Sequence, residues 1–322
     1  MAAKILVTRE VFHEVIDFLR QHGEVDHNCS DEILSPDALR ARARGCSAVM
    51  CCLTEKIDAA FFDACPSVKA ICNIAVGYNN IDVNEATKRG VMVTNTPGVL
   101  DDTTADLTFA LLMAAARRIT ETERRLRNGE WKKGFALQQW LGTDIHHASL
   151  GIIGMGRIGQ TIARRASGFD MQVSYFNRTR LDVATESKLD VRYASKEDIL
   201  SQSDFVVVMV PYSPATHHLI GAAELALMKP SAIFINSARG GVVDDVALIA
   251  ALKEKRIAGA GLDVFEGEPA LNPEFLALDN VALTPHIGSA TRATRMSMAM
   301  LAAKNLQAAL EGRTPPNLVN RP

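Results

Sequence analysis

The chain has 322 residues, 48% of them hydrophobic and 22% charged, the make-up of a folded globular protein and not of a disordered or fibrous one. That length allows two domains, each with its own core. With 35 basic against 37 acidic side chains the formal charge is −2, which excludes a broadly basic nucleic-acid surface and a polybasic membrane anchor.

Strand character begins at once with Lys4-Ile-Leu-Val-Thr-Arg9, and the apolar stretch 107–116 is too short to cross a membrane. No leader or span is therefore expected, and the cytoplasm is the expected location. Between residues 1 and about 99, strand-like runs at 5–8, 48–53, 68–72 and 91–94 alternate with amphipathic patterns such as 11–20. This alternation predicts a parallel sheet covered by helices. All six cysteines (Cys29, Cys46, Cys51, Cys52, Cys65, Cys72) lie here, without CxxC spacing, and read as reduced, mostly buried apolar residues.

After the turn at Asn95-Thr-Pro-Gly98, one long helix is expected over 101–128, with the Ala- and Leu-rich stretch 105–116 as a buried rod between domains. A second alternating series starts at Leu150, with strands expected at 171–176, 204–210, 232–236, 258–264 and 281–284, and a last helix over 290–311. That helix could return the chain to its first domain. The pairs His146-His147 and His217-His218 read as exposed loop histidines, and no metal is expected.

The run Leu150-Gly-Ile-Ile-Gly-Met-Gly-Arg-Ile-Gly159 opens the second series. It reads as the strand, turn and helix of a dinucleotide-binding unit: Gly154 for the tight turn, Gly156 for close approach of a pyrophosphate, Gly159 for helix packing, with Arg157 and Ile158 in the first helical turn. The helix N-terminus would receive the phosphates. In this fold the next strand normally ends in an acidic residue that binds the adenosine ribose; here it ends in Asn177-Arg178-Thr179-Arg180. An acid would repel a 2′-phosphate, whereas two guanidiniums and a hydroxyl would bind one, so NADP(H) is favoured, with NAD(H) possible.

Three later segments put reactive side chains just beyond predicted strands: Asn236-Ser-Ala238-Arg239, Asp263-Val-Phe-Glu266-Gly-Glu268-Pro, and Thr284-Pro-His286-Ile-Gly288-Ser289. Strand carboxyl ends form the ligand crevice of an open α/β sheet, so these can converge. Together with Val76-Gly77 and the glycine motif, they resemble the D-isomer-specific 2-hydroxyacid dehydrogenase family over essentially the whole chain, in particular its glyoxylate and hydroxypyruvate reductase branch.

The resemblance implies a Rossmann doubly wound parallel-sheet domain (100–287) inserted into a flavodoxin-like α/β substrate domain (1–99 plus 288–322). It implies that Arg239 binds the substrate carboxylate, that His286 is the general acid and base, and that Glu268 is its partner. Val76, Gly77 and Ser289 are implied on the substrate side, and Thr104, Val210, Pro211, Ala238, Asp263, His286 and Gly288 beside the cofactor. Asn79 departs from the aspartate more usual in the Val-Gly loop. Trp140 is similar to a tryptophan that reaches the partner subunit's active site, which implies a homodimer acting on a small 2-keto or 2-hydroxy acid. A family member for a bulkier keto acid, or a corepressor-like nucleotide sensor of the same fold, are the alternatives. A phosphoglycerate dehydrogenase is disfavoured because the chain stops soon after Gly312, and a formate dehydrogenase because Glu268 stands where a glutamine is implied.

Overall fold

The computed structural model of the chain describes residues 3–322. The chain forms two compact units, one of Met1–Leu100 with Ala290–Pro322 and one of Asp101–Ser289. The first unit begins β1 (Lys4–Val7), α1 (His13–Arg20), β2 (Glu24–His27), α2 (Pro36–Ala43), β3 (Ala48–Cys51), α3 (Ala59–Ala64), β4 (Ala70–Asn73), α4 (Val83–Lys88) and β5 (Met92–Thr94). The second unit holds α5 (Asp101–Ala116), α6 (Ile119–Arg127), β6 (Ser149–Ile153), α7 (Arg157–Ala166), β7 (Gln172–Phe176), α8 (Val183–Leu189) and β8 (Val191–Tyr193). It continues with α9 (Lys196–Gln202), β9 (Phe205–Val208), α10 (Ala222–Leu227), β10 (Ile233–Asn236), α11 (Asp245–Lys253), β11 (Gly259–Leu262) and β12 (Val281–Leu283). The last helix, α12 (Arg292–Leu310), returns to the first unit.

In the first unit the strands run in parallel in the order β2-β1-β3-β4-β5, the flavodoxin-like order. Strands β3 and β4 are buried along their whole length, as strands covered on both faces must be. Side chains of Ser35, Asp58 and Asp82 cap α2, α3 and α4 by accepting from backbone N–H groups in the first turn. Helix α12 packs Ala299, Ala302, Ala303 and Leu306 against the sheet and α1. Edge strand β2 was not expected; in Glu24-Val-Asp-His27 only Val25 is apolar, and an edge strand needs no more.

The second sheet is also parallel throughout, ordered β12-β11-β10-β9-β6-β7-β8. From β6 the chain winds outward first through β7 and β8 and then, on the other side, through β9 to β12, which is the doubly wound Rossmann order with its reversal at β6 and β9. The helix expected over 101–128 is two helices. Arg118 takes a left-handed φ of 53° between them, and its guanidinium donates to both oxygens of the buried Glu121, at 2.7 and 2.8 Å. Helix α5, expected as a rod between domains, packs on α7, β10 and β11 inside its own unit. No helix among the described residues is long and apolar enough to cross a membrane.

Candidate active site

The turn from β6 into α7 is built from glycines that the backbone requires. Gly154 has φ +107°, and a Cβ there would stand 2.5 Å from the Met209 carbonyl oxygen. A Cβ on Gly159 would overlap the Gly154 carbonyl, so helix and turn close on each other only without one. Gly156 is the N-cap of α7, has no side-chain cap, and faces open space where a Cβ would lie. An exposed helix N-terminus with a side-chain-free approach could hold the pyrophosphate of a dinucleotide. Beside it, Ile158 packs into the core and the Arg157 guanidinium is held by Asp101 at 2.7 Å. Val210 follows β9 and reaches the Gly154 turn, while Pro211 is exposed.

At the end of β7 the four residues read as a 2′-phosphate site divide. Arg180 is not free: it donates to both oxygens of Glu186, at 2.8 and 2.7 Å, and lies over the Tyr193 ring at 5.4 Å. The Tyr175 hydroxyl also donates to Glu186, at 2.6 Å, and Arg180 with Tyr175 lowers the Glu186 carboxyl to about 2. Asn177 closes a local turn, donating to the Thr179 carbonyl at 2.8 Å. Arg178 and the Thr179 side chain are exposed, and no ion pair engages Arg178 among the described residues. The expected pair of guanidiniums is therefore one, because an acid six residues on in α8 already claims the other.

The loops after β10, β11 and β12 bring three expected residues together. Asn236, at the end of β10, accepts from Ala238 N at 3.1 Å and donates to the Arg239 carbonyl at 3.2 Å, which folds the Ala238-Arg239 turn. Gly240 packs so closely on the Phe265 carbonyl that a Cβ would overlap it, seating this turn on the segment that leads to Glu268. Arg239 is half-buried; its Nη1 donates to the Ala238 carbonyl at 2.9 Å, and no ion pair engages it among the described residues. Burial lowers its pKa, with Glu268 acting in the opposite direction.

His286 Nδ1 lies 2.9 Å from Glu268 Oε1, both side chains half-buried. The turn carrying His286 is organised by Asp263, which is 1% exposed. Its Oδ1 accepts from Thr284 Oγ1 at 2.6 Å and Ile287 N at 2.8 Å, and its Oδ2 from Gly288 N at 2.8 Å. Burial pushes the Asp263 carboxyl up. His286 itself has a left-handed φ of 52°, and its N–H donates to the Asp263 carbonyl at 2.9 Å. Thr104 on α5 packs at van der Waals distance from the position a Gly288 Cβ would take. Ser289 follows, half-buried.

The Val76-Gly77 loop, in the first unit, is braced by amides that the sequence reading gave no role. Asn73 donates to the Gly77 carbonyl and Asn95 to the Val76 carbonyl, each at 2.8 Å. Asn80 donates to the carbonyls of Cys52 and Glu55, at 2.9 and 3.0 Å. Glu55, 1% exposed, accepts from Thr8 Oγ1 (2.8 Å), Thr54 Oγ1 (2.7 Å) and Cys52 N (2.8 Å). For Asn73, Asn95 and Thr8 the signal was a polar residue directly at the end of an apolar strand run; Asn80 and Glu55, farther into their loops, carried none. Asn79 is exposed, at the tip of this loop. All six cysteines are free thiols, and burial pushes Cys52 and Cys72 up to about 12. Trp140 lies in the irregular segment after α6, half-buried, with φ 54°.

The family model for the NAD binding domain of D-isomer-specific 2-hydroxyacid dehydrogenases matches residues 109–288. The chain belongs to this family. Among curated relatives of the dehydrogenase, the glyoxylate reductase of Thermococcus onnurineus is 49% identical over all of this chain and 97% of its own length. That of Pyrococcus horikoshii is 50% identical with the same coverage. Among solved structures, an NADPH-dependent glyoxylate/hydroxypyruvate reductase from Sinorhizobium meliloti, in complex with NADP and malonate, superposes with a TM-score of 0.88 at 33% identity, covering 99% of this dehydrogenase and 97% of that chain. A glyoxylate reductase from Paecilomyes thermophila superposes with a TM-score of 0.89 at 31% identity, covering 99% and 98%.

Proposed function

We propose that this dehydrogenase is a cytoplasmic, homodimeric, NADPH-dependent reductase of short 2-keto acids, glyoxylate and hydroxypyruvate above all, giving the D-2-hydroxy acid. The observation that carries the reading is the 2.9 Å contact of His286 Nδ1 with Glu268, in the same loop cluster as a half-buried Arg239 that no acid pairs among the described residues. An unpaired, half-buried guanidinium is a site for an anion, and its planar fork matches a carboxylate. The names of the relatives support the substrate class, and six free thiols suit a reducing compartment.

In this reading Arg239 anchors the substrate carboxylate and polarises the keto oxygen. Val76, Gly77 and Ser289 join it as substrate-binding positions on the resemblance alone. The glycine loop, with Gly154, Gly156, Arg157, Ile158 and Gly159, would hold the dinucleotide, and Thr104, Val210, Pro211, Ala238, Asp263 and Gly288 would line its nicotinamide end. When bound, the dinucleotide supplies the hydride. Glu268 fixes the imidazole through Nδ1, which leaves Nε2 as the proton donor to the keto oxygen, or as the acceptor in the oxidative direction. Positioned acid catalysis of this kind contributes roughly 10²–10⁴ in rate.

Arg178 and Thr179 are the groups proposed to select NADP(H), with Asn177 shaping their turn and Arg180 acting through Glu186. The test is a panel of glyoxylate, hydroxypyruvate, pyruvate and phenylpyruvate, each with NADPH and NADH. The expected outcome is the highest kcat/KM for the two short polar acids with NADPH. Preference for phenylpyruvate or for NADH contradicts the proposal.

A further inference from the structure

The loop between β9 and α10 carries His217 and His218, and the loop after β11 carries Glu266. Consecutive side chains in an extended segment point to opposite sides. Here His218 takes a left-handed φ of 49°, and the two rings lie stacked instead, centroids 3.9 Å apart and planes 24° from parallel. The loop is fixed in that shape: His218 N donates to the Gly241 carbonyl at 2.8 Å, and Ile220 pairs with Val243.

Facing the rings, Glu266 sets its oxygens 3.2 and 3.3 Å from His218 Nε2. One ligand atom each from His217, His218 and Glu266 lie within 4.8 Å of one another. Zinc–nitrogen bonds of about 2.0–2.1 Å set the edges of a tetrahedral site at about 3.3 Å. His218 and Glu266 already stand at that spacing, and the two remaining edges, both to the exposed His217 ring, are within 4.8 Å, a gap that a ring rotation would shorten. The Tyr212 hydroxyl, 3.4 Å from His217 Nδ1, stands where an outer partner would orient that ring. Asp245 accepts from Glu266 N at 3.0 Å and adds a second carboxylate behind the cluster.

We propose that His217, His218 and Glu266 form a binding site for a transition-metal dication of the zinc and cobalt class. Two imidazoles and a carboxylate are a nitrogen–oxygen set suited to these ions over magnesium or calcium, and three protein ligands leave a fourth position for water. Exposed loop histidines were the sequence expectation for this pair; what the sequence could not bring to them is Glu266, forty-eight residues on. Glu266 stands two residues before Glu268, so a bound ion would tie the β9–α10 loop to the segment that carries the histidine's partner. The site is independent of the substrate reading.

The test is a Co²⁺ titration of the full chain followed by visible absorption, with Zn²⁺ binding measured by equilibrium dialysis. The expected result is one ion per chain, with affinity weakened about tenfold or more in both His218→Ala and Glu266→Gln. His146→Ala should bind like the wild type. Absence of stoichiometric binding, or binding that survives both substitutions, overturns the proposal; the latter would put the ion on Cys29 or the other histidines. If His218→Ala loses its cooperative melt, Glu266→Gln decides alone, since it keeps the side chain's shape and removes only its charge.

Discussion

A guanidinium is useful to a ligand only if no other group already holds it, and three arginines here differ in that respect. Among the described residues Arg239 donates to a backbone carbonyl and to no acid, Arg178 has no ion pair, and Arg180 is locked to Glu186. Arg178→Ala should therefore lower kcat/KM for NADPH roughly ten- to hundredfold, the worth of a charged hydrogen bond of about 1.5–3 kcal/mol, and leave NADH unaffected. Equal loss with both cofactors in steady-state assays would contradict that assignment. Asp245, 6% exposed, is raised to about 6, chiefly by burial. Its ordinary value is about 3.9, so between about pH 4 and 6 the folded state keeps a proton that the unfolded state has lost. Stability should fall as pH rises through that window, by about 2–3 kcal/mol, and Asp245→Asn should flatten the slope in denaturant titrations. Sequence motifs brought Arg239, Glu268 and His286 into view because each stands at a fixed offset beyond an apolar strand. The Arg180–Glu186 pair was not legible, since nothing in the order of residues says which way a helical acid turns.

At the scale of elements, the strands buried on both faces were legible as continuous apolar runs, and the thin edge strands β2 and β8 were not. The break between α5 and α6 was hidden for a different reason: Ala-Arg-Arg-Ile carries no glycine or proline, and the left-handed Arg118 is held by a side-chain pairing with Glu121, three residues on, which Arg125 also engages. The loop after β4 shows how an element end becomes a rigid platform. Asn80 ties it to the 52–55 loop, which the buried Glu55 anchors to Thr8 at the end of β1. Asn80→Ala removes the donor of two part-buried carbonyls, at about 1 kcal/mol each. On the proposed role of Val76-Gly77, KM for the keto acid should rise about tenfold with kcat changed little. An unchanged KM would show that the loop does not serve the substrate.

For the whole molecule, each sheet is parallel throughout, and in the second one the shared direction sets the strand carboxyl ends on one edge, where the loops after β10, β11 and β12 supply Arg239, Glu268 and His286. The segment 128–148, which holds Trp140, has no regular period and exposes Trp131, Phe135, Leu137 and Leu141, with Phe135 90% exposed. So many large apolar side chains on one segment favour a second copy as their cover. Light scattering should give twice the 34.9 kDa chain mass, and Phe135→Asp with Leu137→Asp should give the monomer. A wild-type monomer would remove the dimer and, with it, the proposed reach of Trp140. The central claim rests on His286, and one comparison addresses it directly: glyoxylate turnover and NADPH affinity of His286→Ala against the wild type. The account predicts that kcat falls by roughly 10²–10⁴ while the NADPH Kd stays within about twofold. Turnover kept within about tenfold of the wild type would contradict it.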